Sequence, residues 1–128
     1  MPNADPMKDL EPDVLIVEDD DALRDALCRT LESDGLKCHS VSRGEHAVAG
    51  ILKDGWRPRL ILLDLMMPGM TGWDFLDLRA RTDRLRTIPV IVLSAAADRA
   101  SSKDLSAEAT LKKPVKGEEL IAAVRRYL

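Results

Sequence analysis

Residues 60–71 read Leu60-Ile-Leu-Leu-Asp64-Leu-Met-Met-Pro68-Gly-Met-Thr71, four apolar residues that end on an aspartate and then a turn. An apolar run this short does not make a helix. With no polar residue alternating through it, it must be covered on both faces, as strands of a parallel sheet between helices are. Val14-Leu-Ile-Val17 and Val90-Ile-Val-Leu93 read the same way. Residues 36–41 and 108–112 mix polar and apolar side chains, as edge strands do. Helical spacing fills the gaps. Ala22, Leu23, Ala26, Leu27 and Leu31 form one stripe, stopped by Gly35, and residues 46–53 carry Ala47, Val48, Ile51 and Leu52, closed by Gly55. Thr71-Gly-Trp-Asp74 has the form of a capping box and opens a third helix through Leu78. Residues 98–105 suit a short, weakly apolar fourth helix. A last helix from about Glu118 lines up Leu120, Ile121, Val124 and Leu128, with acids at its start and Arg125 and Arg126 at its end, matching the helix dipole.

Strands thus alternate with helices, which predicts an α/β fold with one doubly wound, five-stranded parallel sheet. Placing the three apolar strands centrally gives the flavodoxin-like order 2-1-3-4-5, with a short or disordered fourth helix. Ligands of such sheets bind at the carboxyl ends of strands one and three. Residues 13–128 are expected to form the domain, and the proline-bearing, polar residues 1–12 a flexible tail.

The bulk composition agrees. The 128 residues are 45% hydrophobic and 32% charged, as in ordinary globular domains. A net charge of −3 offers no basic face for direct nucleic-acid binding. No apolar run approaches the roughly 20 residues of a membrane span, and the N-terminus lacks a signal-peptide core, so a cytoplasmic location without membrane insertion is expected. Cys28 and Cys38 have no zinc or redox spacing and read as small buried or half-buried thiols in a reducing compartment.

Strand one ends in Val17-Glu18-Asp19-Asp20 and strand three in Leu63-Asp64, so at least three carboxylates meet at one switch point. At about 4 Å each pair repels by roughly 4 kcal/mol at an effective dielectric of 20. A hard divalent cation with oxygen ligands relieves that, and Mg²⁺ suits one or two carboxylates while keeping waters. Helix capping accounts for part of the acidic run, since Asp20 or Asp21 suits the N-cap. Strand four adds the hydroxyl of Ser94, and strand five ends in Lys113-Pro114, where proline stops the ladder and lysine projects over the crevice. An aspartate, a hydroxyl, a lysine and a metal site are the parts that hold a phosphoryl group.

These residues resemble the response-regulator receiver family over nearly the whole chain, from about Asp13 to Leu128. VLIVEDDDALR, LILLDLMMPGMTGWDFL, IPVIVLSA and LKKP stand in order on the expected elements. The resemblance implies that Asp64 accepts a phosphoryl group from a histidine kinase or phosphotransfer protein. It implies Mg²⁺ on Asp19, Asp64 and the Met66 backbone carbonyl, with Glu18 acting through water. It makes Ser94 the switch hydroxyl and Lys113 the phosphoryl-pairing lysine, with a cis bond to Pro114. Such a chain signals to an unknown downstream protein and catalyses only its own phosphorylation and dephosphorylation.

Three departures from the family stand out. Glu18 replaces the more usual aspartate. Thr110 stands where a tyrosine or phenylalanine is frequent, three positions before the lysine. The stretch from Ser94 to Lys113 is short by about one helical turn. A degenerate receiver, acting as a phosphorylation-independent binding module, is the alternative these departures favour. Met66 and Ala96 occupy places that tune phosphoaspartate hydrolysis, and neither holds a water well, so a long-lived phosphoryl state is expected. An aspartyl phosphatase of the haloacid-dehalogenase type would want a second aspartate where Met66 stands. An FMN-binding flavodoxin would want a Ser/Thr/Gly-rich loop where the acids stand. Trp73 and Phe75 are expected to pack, as is Met67. His39 and His46 are expected to be solvated, as is the arginine run Arg79, Arg81, Arg84 and Arg86.

Overall fold

The computed structural model describes residues 10–95 and 106–128. Ala96, the expected helix over residues 98–105 and most of the expected tail lie outside the described residues. In chain order the elements are β1 (Val14–Val17), α1 (Asp21–Ser33), β2 (Cys38–Val41), α2 (Gly44–Leu52), β3 (Leu60–Asp64), α3 (Gly72–Ala80), the single turn α4 (Asp83–Arg86), β4 (Val90–Ser94), β5 (Ala109–Lys112) and α5 (Gly117–Tyr127). The five strands form one sheet of order β2-β1-β3-β4-β5, parallel throughout, the order the apolar runs predict.

Alternation along the strands divides the core into two layers. Leu15, Val17, Ile61, Leu63, Val90 and Val92 pack on one face with Ala47 and Ile51 of α2 and Phe75 and Leu76 of α3. Val14, Ile16, Leu60, Leu62, Ile91 and Leu93 pack on the other with Leu27 and Leu31 of α1 and Leu120 and Val124 of α5. All residues of β1, β3 and β4 are buried, whereas β2 and β5 are mostly half-buried edges. That is why only the central three strands read as unbroken apolar runs.

Caps fix the helix starts beside the sheet's carboxyl edge. Asp20 is the N-cap of α1, its side chain accepting from Leu23 N at 3.0 Å. Thr71 and Asp74 close the expected capping box of α3. Two boundaries differ from expectation. Leu36 is packed in the loop rather than in β2, its N–H returning to Leu31 O, and α2 begins at Gly44. Leu10 O and Pro12 O accept from Arg57 N and Arg59 N, so these two residues are held by the fold.

Three side chains expected to be solvated or packed behave otherwise. Arg79 is only 8% exposed. Its guanidinium donates to Ile88 O at 2.8 Å, Ser106 O at 3.0 Å and Glu108 Oε1 at 3.1 Å, and that carboxylate oxygen also accepts from Val90 N at 2.7 Å. The cluster clamps the end of α3 to the starts of β4 and β5. His39 sits half-buried, edge-on to Trp56 with ring centroids 4.8 Å apart. Trp73 is exposed, because the buried face of α3 carries Gly72, Phe75, Leu76 and Arg79. His46 is exposed and Met67 buried, as the sequence suggests.

Candidate functional site

Glu18 follows the last residue of β1, and Asp64 is the last residue of β3. Adjacent parallel strands in register, Val17 beside Leu63, bring these two side chains to one end of the sheet. Both are buried, whereas Asp19 is exposed. Carboxylate oxygens of Glu18, Asp19 and Asp64 all lie within 4.8 Å of one another. The loop after β3 is drawn in tightly. Gly72 N donates to Leu65 O at 2.8 Å, and a Cβ on Gly72 would come within 2.6 Å of Asp64 O and Leu65 Cα, so only glycine fits there.

Lys113 reaches this cluster from the residue after β5. Its Nζ is 3.0 Å from Asp64 Oδ1 and 3.1 Å from Glu18 Oε1. The peptide bond to Pro114 is cis, as the resemblance implies. Lys113 N donates to Ser94 O, which fixes the lysine's backbone beside β4. Asp64 Oδ1 also lies 3.4 Å from Met66 N, and Glu18 Oε2 accepts from Asp20 N at 3.1 Å. The Met66 side chain is 57% exposed. Ser94 is buried at the end of β4, and its hydroxyl donates to Ala95 O at 3.1 Å rather than to the cluster. Thr110 Oγ1, one strand over on β5, is buried without a hydrogen-bond partner among the described residues.

Burial, reinforced by the Asp64 charge, outweighs the Asp20 N–H and Lys113 and pushes Glu18 up to about 7. Burial alone would lower Lys113, but the hydrogen bond to Asp64 and the charges of Glu18 and Asp64 hold it above the usual lysine range. One lysine thus faces more negative charge than it neutralises. Glu18 Oε1 sits 3.1 Å from the ammonium and has no well-directed hydrogen-bond donor among the described residues. A buried, undonated carboxylate oxygen beside two further carboxylates fits a hard divalent cation with oxygen ligands.

A parallel sheet of this order, with an acidic pocket and a facing lysine at its carboxyl edge, is the architecture of a receiver-type signalling domain. The chain belongs to the response regulator receiver domain family, whose model matches residues 14–125. It is 38% identical over 119 residues to the sensory transduction protein RegX3 of Mycolicibacterium smegmatis, covering 90% of this chain and 50% of that protein. The chain therefore spans about half the length of the curated relatives it matches. Among solved structures, a putative response regulator from Chloroflexus aurantiacus superposes with a TM-score of 0.81 at 26% identity, covering 94% of this chain and 98% of that one. The receiver domain of the sensor histidine kinase PA1611 from Pseudomonas aeruginosa superposes with a TM-score of 0.78 at 26% identity, covering 92% and 96%. That structure holds a magnesium ion coordinated in its active site cleft.

Proposed function

We propose that this receiver domain takes a phosphoryl group onto Asp64 from a phosphohistidine of a sensor kinase or phosphotransfer protein, with Mg²⁺ held in the acidic pocket. The observation that carries this reading is the convergence of Glu18, Asp19 and Asp64 within 4.8 Å under the Lys113 ammonium. An Asp64 carboxylate oxygen attacks phosphorus, the bond from phosphorus to the histidine nitrogen breaks, and an acyl phosphate forms on Asp64. Glu18, Asp19, Asp64 and the Met66 backbone carbonyl would hold the cation. When bound, Mg²⁺ supplies positive charge against the phosphoryl oxygens. Lys113, already 3.0 Å from Asp64, pairs with the transferred group. Ser94, one strand away with its hydroxyl on the Ala95 carbonyl, turns toward it. The domain catalyses no reaction but its own phosphorylation and dephosphorylation. It works in the cytoplasm as residues 13–128 behind the polar lead-in, and it hands its state to a downstream protein partner.

The hydroxyl of Thr110, without a partner among the described residues and in place of an aromatic side chain, supports a second reading. In it the domain binds its partner without phosphorylation. Borohydride reduction after exposure to acetyl phosphate separates the two, because an acyl phosphate is reduced to the alcohol. Homoserine at position 64 in peptide maps is expected. Unmodified aspartate there, in folded protein with Mg²⁺, refutes the phosphoacceptor and favours the binding module.

A further inference from the structure

Cys28 lies on α1 and Cys38 opens β2, ten residues apart in the chain, yet their Sγ atoms are 2.6 Å apart. Both residues are half-buried free cysteines. That separation is well inside the contact distance of two unbonded sulfurs and about half an ångström from the ~2.0 Å of an S–S bond. Cys38 pairs with Val14 at the start of β1, so the thiols sit at the opposite end of the sheet from Glu18 and Asp64. They are not part of a metal site either. Among the described residues, Glu18, Asp19 and Asp64 form the one group of three or more side chains with metal-ligand spacing. A spacing of ten residues matches no short redox motif; only the docking of α1 beside β2 brings the two cysteines together.

We propose that Cys28 and Cys38 form a reversible intramolecular disulfide that ties α1 to the edge strand β2. The oxidant is a low-molecular-weight disulfide of the glutathione type. The Cys28 thiol gives its proton to water, and its thiolate attacks one sulfur of the oxidant. The oxidant's S–S bond breaks, one small thiolate leaves, and a mixed disulfide remains on Cys28. The Cys38 thiolate then attacks Cys28 Sγ, the mixed bond breaks, and the second small thiolate departs. Two protein thiols lose two electrons, and the oxidant becomes two small thiols carrying the two protons. Burial pushes both thiols upward, which keeps the exchange slow at neutral pH. Closing the loop between the two residues restricts the unfolded chain, so the oxidised protein is the more stable form.

The test is native incubation of the reduced full chain with glutathione disulfide, followed by alkylation, intact mass and non-reducing peptide mapping. The expected wild-type product has lost both alkylatable thiols and two hydrogen atoms. It keeps no glutathione and yields linked peptides containing Cys28 and Cys38. Cys38→Ser should retain one glutathione on Cys28. The urea midpoint of the oxidised wild type should rise and return with dithiothreitol, and neither single serine variant should show that shift. Stable glutathione on both cysteines would overturn the proposal. So would a disulfide between two chains, or two thiols still open to alkylation after a small dithiol in the same tube has been oxidised.

Discussion

Replacing Lys113 by methionine removes the cation from the acidic pocket while keeping most of the side chain's length. The Nζ lies 3.0 Å from Asp64 Oδ1 and 3.1 Å from Glu18 Oε1, and the lysine side chain is 25% exposed. At an effective dielectric of 20, each contact is worth about 5 kcal/mol before desolvation. Two effects reduce the net loss. The lysine no longer has to be desolvated, and Glu18, raised to about 7, can protonate once its partner is gone. What is left is chiefly the uncompensated charge of Asp64, so a cost of about 3 kcal/mol is expected at pH 7.5 without metal. A domain of this size has about 5–15 kcal/mol, so the variant should still fold. The assay is urea denaturation of wild type and Lys113→Met, with and without Mg²⁺, at pH 7.5 and pH 5.5. The cost should shrink at the lower pH, where Glu18 is neutral, and shrink again with Mg²⁺, which replaces the missing charge. A cost below about 1 kcal/mol, indifferent to both pH and Mg²⁺, would refute the view that two buried carboxylates depend on this lysine.

Three further outcomes follow from other residues. Glu18 has its folded pKa raised above its ordinary value of 4.5 to about 7, so the stability it contributes is complete below 4.5 and is lost as pH rises through 7. Without metal, stability should fall by about 3 kcal/mol across that window, and Glu18→Gln should flatten the profile in pH-dependent urea melts. Arg79→Ala strands Glu108 and the carbonyls of Ile88 and Ser106 at the junction of α3, β4 and β5, and should cost about 3 kcal/mol in the same melts; a cost within about 0.5 kcal/mol would mark the clamp as idle. Met66 is exposed beside Asp64, and its thioether is too weak an acceptor to orient a water, so Met66→Asn should shorten the phosphoryl lifetime measured by loss of the mass adduct. An unchanged or longer lifetime would count against that role.

The sheet order and the pocket were legible because both depend on where apolar runs end. Val17 and Leu63 are the last apolar residues of central strands, so the acids that follow them have nowhere to go but the carboxyl edge. Lys113 was found by the same logic, with Pro114 marking the exit from β5. Arg79 was missed because it stands in a run of arginines. Its position four residues after Phe75 on the buried face of α3 was the available signal. The same phase puts Trp73 off that face, where composition alone suggested packing. The His39–Trp56 contact and the Cys28–Cys38 contact join separate elements, and neither spacing along the chain announces them. The turn α4 is held by the burial of Leu85 rather than by any cap, for Thr82 makes no side-chain cap bond.

The most direct test of the phosphoacceptor site is intact mass after incubation with acetyl phosphate, with and without Mg²⁺, for wild type and Asp64→Asn. A single phosphoryl adduct is expected on the wild type, requiring Mg²⁺ and absent from Asp64→Asn. An adduct that persists in Asp64→Asn, or folded wild type that gains none with Mg²⁺ present, would contradict it.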